Sequence, residues 1–278
     1  MWFTQARCAG WLTTDVRYEM NSIPSDSVGD LLRRFYATFG IPDEGPPAGM
    51  NVTQLLGADA IPLLDRDILT AALNDKDQLQ QFSHCREILD DLASAMAGDT
   101  LLRELAGITT GTEGEFNSML TSVLWFSMAA SLDQRQKGLP VTPFDDQISI
   151  PLSFKVKAAV EGSLVMRLYL ALVYMREGVL SNRIDDGKKS GLPCCGKVSK
   201  LLNSDYVRRI RNALSHGSFS SCVAGIAFRD GKRTIVATRG FMNWLCTNLM
   251  LIQLQGLCAA NGKSGTPTAE QAVDGNPH

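Results

Sequence analysis

The chain of 278 residues has no apolar run long enough to cross a bilayer. Its most apolar stretch, Phe241 to Ala260, is interrupted by Asn243, Asn248, Gln253 and Gln255, whereas a helical span takes about 20 consecutive apolar residues. No membrane segment is therefore expected. The opening residues, Met1-Trp2-Phe3-Thr4-Gln5-Ala6-Arg7, show neither a basic leader with an apolar segment behind it nor a small-residue cleavage site. The expected location is cytoplasmic. Histidine is scarce, at positions 84, 216 and 278 only, and no two cysteines stand in a Cys-x-x-Cys pair. The seven cysteines, at 8, 85, 194, 195, 222, 246 and 258, are odd in number and irregular in spacing. That pattern excludes a disulfide framework or a zinc knuckle, so reduced thiols and no metal or other cofactor are expected. No internal repeat is present. Gly262-Lys263-Ser264 resembles the end of a phosphate-binding loop, but the first glycine such a loop needs falls on Leu257.

The composition that remains is that of a globular protein, with 45% hydrophobic residues and a net charge of −2. The small net charge conceals two unlike halves. Residues 1–150 hold 10 Lys/Arg against 21 Asp/Glu, a net of −11, and residues 151–278 hold 17 against 8, a net of +9. Within the basic half, residues 181–211 carry eight positive side chains and three negative ones. A polyanion would be drawn there, or the basic face could be balanced by the acidic half, within the chain or between subunits.

Apolar periodicity predicts a mainly helical protein with a small β-hairpin inserted near its end. Val28, Leu31, Leu32, Phe35 and Phe39 recur at helical spacing up to Gly40-Ile41-Pro42, and 43–49 reads as a loop. A helix follows from Pro62 to Asn74, then another from about Lys76, with His84 on its polar side. After a break at Gly107 to Gly114, Phe116, Met119, Leu120, Val123, Leu124, Phe126 and Met128 predict a helix that Gly138-Leu139-Pro140 stops. Val141 to Pro151 reads as an extended connector. The longest pattern, Leu152 to Glu177, has apolar residues on several faces, including Tyr169 and Tyr174, and is expected to be the central, doubly buried helix.

Ser181 to Gly196 reads as a polar mobile loop that includes the vicinal Cys194-Cys195 pair. Val198 to Leu214 resumes the helical period, with a break at Asn203-Ser204-Asp205 and Asp205 as the cap of a fresh helix from Tyr206. Asp230-Gly231 between two β-prone runs marks the hairpin. Phe241 to Leu257 closes the fold, and 261–278 reads as a disordered tail.

The chemistry-bearing stretch is Arg211-Asn212-Ala213-Leu214-Ser215-His216-Gly217, preceded by Arg208 and Arg209. Gly217 suits the residue just beyond a helix, which puts His216 in the last turn. This run resembles the Arg-x4-His signature of the HEPN superfamily, in which a polar residue commonly follows the arginine, here Asn212. The order of long helix, motif, hairpin and last apolar helix is similar to a plasmid-borne group of that superfamily. The likeness covers residues 113–260 and leaves 1–112 as an acidic helical N-terminal region.

The resemblance implies a HEPN-like helical bundle with metal-independent endoribonuclease activity. Its products would be 2′,3′-cyclic phosphate and 5′-hydroxyl ends, and its setting a plasmid, toxin–antitoxin or phage-defence one. RNA is then the partner, with a homodimer bearing a composite active site, and an antitoxin or other regulatory protein as a further partner. Arg211, Asn212 and His216 would be catalytic, with Lys197, Lys200, Arg208 and Arg209 on the RNA backbone. Histidine suits the proton transfers because its usual pKa is about 6.5, and arginine suits the phosphate because it stays charged and binds two oxygens.

Helix geometry adds a constraint. At about 100° per residue, Asn212 and Arg209 share the face of His216, whereas Arg211 lies about 140° away. Three other readings stay open: His216 as a plain helix C-cap, a non-catalytic HEPN-like module that binds nucleotide or RNA or dimerises, and an antitoxin-regulated target of nucleotidyl transfer.

Overall fold

The structure, a computed structural model, describes residues 28–42, 44, 61–109, 112–138, 152–222 and 224–264. The tryptophans at 2 and 11, most of the 43–49 loop, the 141–151 connector and the tail beyond 264 lie outside them. The described chain is mainly helical, with ten helices and one three-stranded antiparallel sheet. In order these are α1 (Val28–Phe39), α2 (Ile61–Asn74), α3 (Lys76–Ala97), α4 (Thr100–Ile108), α5 (Glu113–Gly138), α6 (Leu152–Glu177), α7 (Val179–Lys189), α8 (Pro193–Asn203) and α9 (Asp205–Ser215). The sheet strands β1 (Phe219–Cys222), β2 (Gly225–Asp230) and β3 (Arg233–Thr238) follow, and α10 (Arg239–Ser264) closes the chain. Among the described residues no helix is long and apolar enough to cross a membrane.

One hydrophobic core runs from Phe35 to Ala260, so helices on both sides of the 112/113 boundary bury their apolar faces together. The central helix is α10 rather than α6. It packs against α3, α4, α5 and α6, with Phe241, Met242, Leu245, Cys246, Leu249 and Ile252 all buried. By contrast α6 buries Leu164, Leu168, Ala171, Leu172 and Met175 but leaves Met166 55% and Tyr169 37% exposed. Its partner α5 likewise leaves Leu124 and Met128, both expected in the core, 53% and 56% exposed, with Trp125 between them at 48%. The apolar residues of these two helices exceed what one face of each can bury, and the surplus is left at the surface.

The stretch 181–196, expected as a loop, is helical. Leu180, Ile184 and Gly187 are buried at helical spacing on α7, and Pro193 starts α8 at a position where its missing N–H costs nothing. Gly187 is needed there because a Cβ on it would press into the Cys195 thiol. Composition alone suggested a loop because Lys, Asp and Gly dominate the solvent face. Similarly, α10 continues through Ser264, seven residues beyond its expected end at Leu257, and the break at 107–114 narrows to a short link between Ile108 and Glu113.

The expected hairpin is present as β2 and β3, with Asp230 paired to Arg233 across a two-residue turn in which Gly231 takes φ +62°. A third strand, β1, extends it, with Phe219 opposite Phe228. Four consecutive residues of β2, Gly225 to Phe228, are buried instead of alternating. The reason is that α9 packs on β2 while α1, α2 and α10 pack on β3. The start of α10 is capped from a distance: Glu44 accepts hydrogen bonds from the Gly240 amide at 2.8 Å and the Thr238 hydroxyl at 2.7 Å.

An aromatic cluster fixes α9 in this frame. The Phe82 ring lies 5.2 Å from Phe39, 5.6 Å from Tyr206 and 5.0 Å from Phe241, joining α3, α1, α9 and α10. Such ring pairs contribute about 0.5–1.5 kcal/mol each beyond their buried area.

Candidate functional site

The helix carrying the motif is built to be rigid at both ends. Ser204, not Asp205, is its N-cap, its hydroxyl accepting from the Val207 amide at 3.3 Å. Tyr206, Val207, Ile210, Ala213 and Leu214 are buried at helical spacing and dock α9 on the core. At the other end the Ser218 amide donates to the Ala213 carbonyl at 2.8 Å and the Gly217 amide to Leu214 at 3.2 Å. This is a Schellman closure, with Gly217 at φ +64° in the left-handed conformation that favours glycine. His216 is therefore the C-cap, one step past the last helical residue, and its side chain is exposed. Two residues on, the Ser218 carbonyl accepts from the Arg229 amide at 2.8 Å, which ties the helix end to β2.

The cations of the site fall into two groups. Asp205 in the first turn accepts from both Arg208 and Arg209, the latter at 2.7 Å, and Arg209 also reaches Asp230 on β2 at 3.5 Å. Burial alone would raise the Asp205 carboxyl, but the two guanidinium groups outweigh it and hold it below the usual aspartate range. Lys197 on α8 is bound to Asp91 on α3 at 2.7 Å. Lys200 is exposed and has no ion-pair partner among the described residues.

Arg211 is different in kind. It is half-buried, and among the described residues no carboxylate is ion-paired with it. Burial lowers its pKa first, and the like charges of Arg176 and Arg208 lower it further, with Glu177 opposing them. Asn212 is half-buried, and among the described residues no hydrogen bond joins the side chains of Arg211, Asn212 and His216. Arg211 and His216 are thus at one end of one helix with no hydrogen bond between them among the described residues.

No family model, curated protein or solved structure matches the chain. The site is read from its own residues.

Among the described residues, ion pairs that join the acidic half to the basic half include Lys197 with Asp91, Arg233 with Asp77, and Arg183 with Glu115. Intramolecular pairing accounts for part of the charge asymmetry. Arg176 and Glu177, in the last turn of α6, enter the surroundings of Arg211 without any signal in the motif itself. Asp205 could have been found from its spacing, three and four residues before Arg208 and Arg209.

The vicinal cysteines are in the first turn of α8, and both are buried. Helix N-termini ordinarily activate thiols, but here Glu104 occupies that terminus, accepting from the Cys194 and Cys195 amides at 3.0 Å each. Burial and then Glu104 push the two thiols up, to about 11 and about 12. Among the described residues no group of three or more His, Cys, Asp and Glu side chains is placed to hold a metal ion.

Proposed function

We propose that the chain is a HEPN-type endoribonuclease that cleaves RNA by attack of a 2′-hydroxyl on the adjacent phosphate. The base takes the 2′-hydroxyl proton, the bond to the 5′-oxygen breaks, and an acid protonates that oxygen. A 2′,3′-cyclic phosphate and a 5′-hydroxyl result. His216 exchanges the protons, Arg211 holds the negative phosphate oxygens, and Asn212 orients the reacting group. Lys197, Lys200, Arg208 and Arg209 hold the RNA backbone.

The observation that carries this reading is the half-buried Arg211, ion-paired with no carboxylate among the described residues, five residues from an exposed His216. A partly desolvated guanidinium without a counter-ion is costly, and an anionic ligand relieves that cost. The lack of a hydrogen bond between the two side chains, which lie about 140° apart around the helix, supports a composite site, with Arg211 of one subunit facing His216 of the other. The exposed Leu124, Trp125, Met128, Met166 and Tyr169 offer a surface for a second copy. It leads toward the site, since Tyr169 and Arg176 are seven residues, about two turns, apart on one side of α6. A toxin–antitoxin, plasmid or phage-defence role, with a regulatory protein restraining the nuclease, follows from the same resemblance.

The decisive assay is cleavage of total RNA by purified protein in EDTA. Loss of cleavage in His216→Ala supports the assignment, and a His216→Ala variant as active as the wild type refutes it.

The engagement of Lys197 by Asp91, and of Arg209 by Asp205 and Asp230, favours a second reading. In it the helix is a non-catalytic module that binds nucleotide, RNA or a second copy. Salt-sensitive RNA binding that Arg211→Ala weakens, with no cleavage of any RNA, would select it.

A further inference from the structure

The C-terminal end of α6 packs against α9, and this brings a cation that the motif does not contain to the side of Arg211. Arg176 stands in the last turn of α6, is exposed, and has no ion-pair partner among the described residues. Arg208 approaches Arg211 from the other direction, three residues earlier on the same face of α9, but its charge is largely met by Asp205. The one carboxylate that bears on Arg211 is Glu177, which is exposed and makes no ion pair with it among the described residues. Two guanidinium groups without an ion-pair partner among the described residues, one on each of two packed helices, are therefore close enough to act on each other's charge. Like charges repel unless an anion comes between them, and the planar fork of arginine matches two phosphate oxygens at once.

We infer that Arg176 and Arg211 together form the phosphate-binding clamp of the site, with Arg176 reaching one RNA phosphate from α6 and Glu177 weakening the clamp in the free protein. The inference rests on the reading of Arg211 as a phosphate ligand and extends it to a second helix. It gives the site a fixed geometry, because α6 and α9 are both anchored in the core through Leu172, Met175, Ile210 and Leu214. A bland role for Arg176 is also available, since a cation in a last helical turn interacts well with the terminal carbonyls. That role affects helix stability and leaves the salt dependence of RNA binding alone.

The test measures binding of a fluorescein-labelled single-stranded RNA oligonucleotide by anisotropy over a range of KCl concentrations, in a His216→Ala background that prevents cleavage. Loss of one phosphate contact on single-stranded RNA lowers the log–log salt slope by about 0.7. Arg176→Ala is expected to lose that much slope, Arg176→Lys to keep it, and Glu177→Gln to bind more tightly than the parent. A gain of affinity in Glu177→Gln cannot come from a folding defect. Should Arg211→Ala lose slope while Arg176→Ala and Glu177→Gln match the parent, the clamp is overturned and the assignment of Arg211 stands. Should Arg211→Ala also match the parent, the phosphate reading of Arg211 falls and the clamp falls with it.

Discussion

Arg211 and His216 stand five residues apart at the end of one helix yet meet different surroundings, the guanidinium half-buried toward Arg176 and Glu177 and the imidazole exposed beyond the last helical turn. On the proposed ribonuclease reading, the separation means that the two side chains would act in one reaction only across two protomers. It also sets apart what each side chain contributes to stability and to chemistry.

Arg211→Ala is expected to reduce RNA cleavage by about 10²–10³-fold, the usual loss on removing a group that stabilises transition-state charge. The fold should not suffer. Arg211 has no ion-pair partner among the described residues, so thermal unfolding should shift by no more than about 0.5 kcal/mol, as for a surface change. A large loss of stability would show that Arg211 is a structural strut.

Asp205→Asn should destabilise the protein by up to about 1 kcal/mol, because the ion pairs to Arg208 and Arg209 are partly solvated. The Asp205 carboxyl is held below its ordinary value, so its contribution is complete above the unfolded pKa of about 3.9 and fades as pH falls through the folded one. Urea denaturation of both proteins should give a constant difference from neutral pH down to about pH 5, shrinking below about pH 4. A difference independent of pH would mean that charge is not the cause.

Gly240→Ala should cost about 1 kcal/mol, because a Cβ there would push aside the Glu44 carboxylate that caps α10. Glu44→Ala removes the cap and should cost about 1 kcal/mol. The double variant should cost less than the sum of the two, since the clash disappears with the carboxylate. Guanidinium denaturation checks all three.

Among the described cysteines, only Cys258 is exposed. It should react with a water-soluble disulfide reagent in the native protein at pH 8, while Cys85, Cys194, Cys195 and Cys246, with thiols pushed up to between about 11 and about 12, stay unmodified until unfolding. Glu104→Gln removes the second cause of the rise at Cys194 and Cys195 and should speed their modification. Rapid native labelling of Cys194 would contradict this.

Much of the helical frame could be read from spacing, because periodic apolar positions such as Phe82, Leu89 and Met96, or Tyr206, Ile210 and Leu214, report a buried face directly. Helix α7 was hidden because its buried side rests on only Leu180, Ile184 and a glycine, which carries no hydrophobic signal. Strand β2 was legible from the β-prone run before Asp230-Gly231, whereas β1, with two serines in four residues, carried little signal. The motif showed that Arg211, Asn212 and His216 share a helix end. It could not show the carboxylate on Lys197 or the second one on Arg209, since Asp91 and Asp230 come from distant elements. Arg176 was invisible for the same reason: its nearness to Arg211 is a product of how α6 packs.

The most direct test of the composite ribonuclease site mixes two inactive variants, Arg211→Ala and His216→Ala, and measures cleavage of total RNA in EDTA. If each site takes Arg211 from one subunit and His216 from the other, a mixed dimer keeps one intact site. Free reassortment then restores about one quarter of wild-type activity, as two-fold symmetry requires. If the mixture stays as inactive as its parents while the wild type cleaves, the composite site is wrong, and if the wild type leaves every RNA intact, the ribonuclease reading is wrong with it.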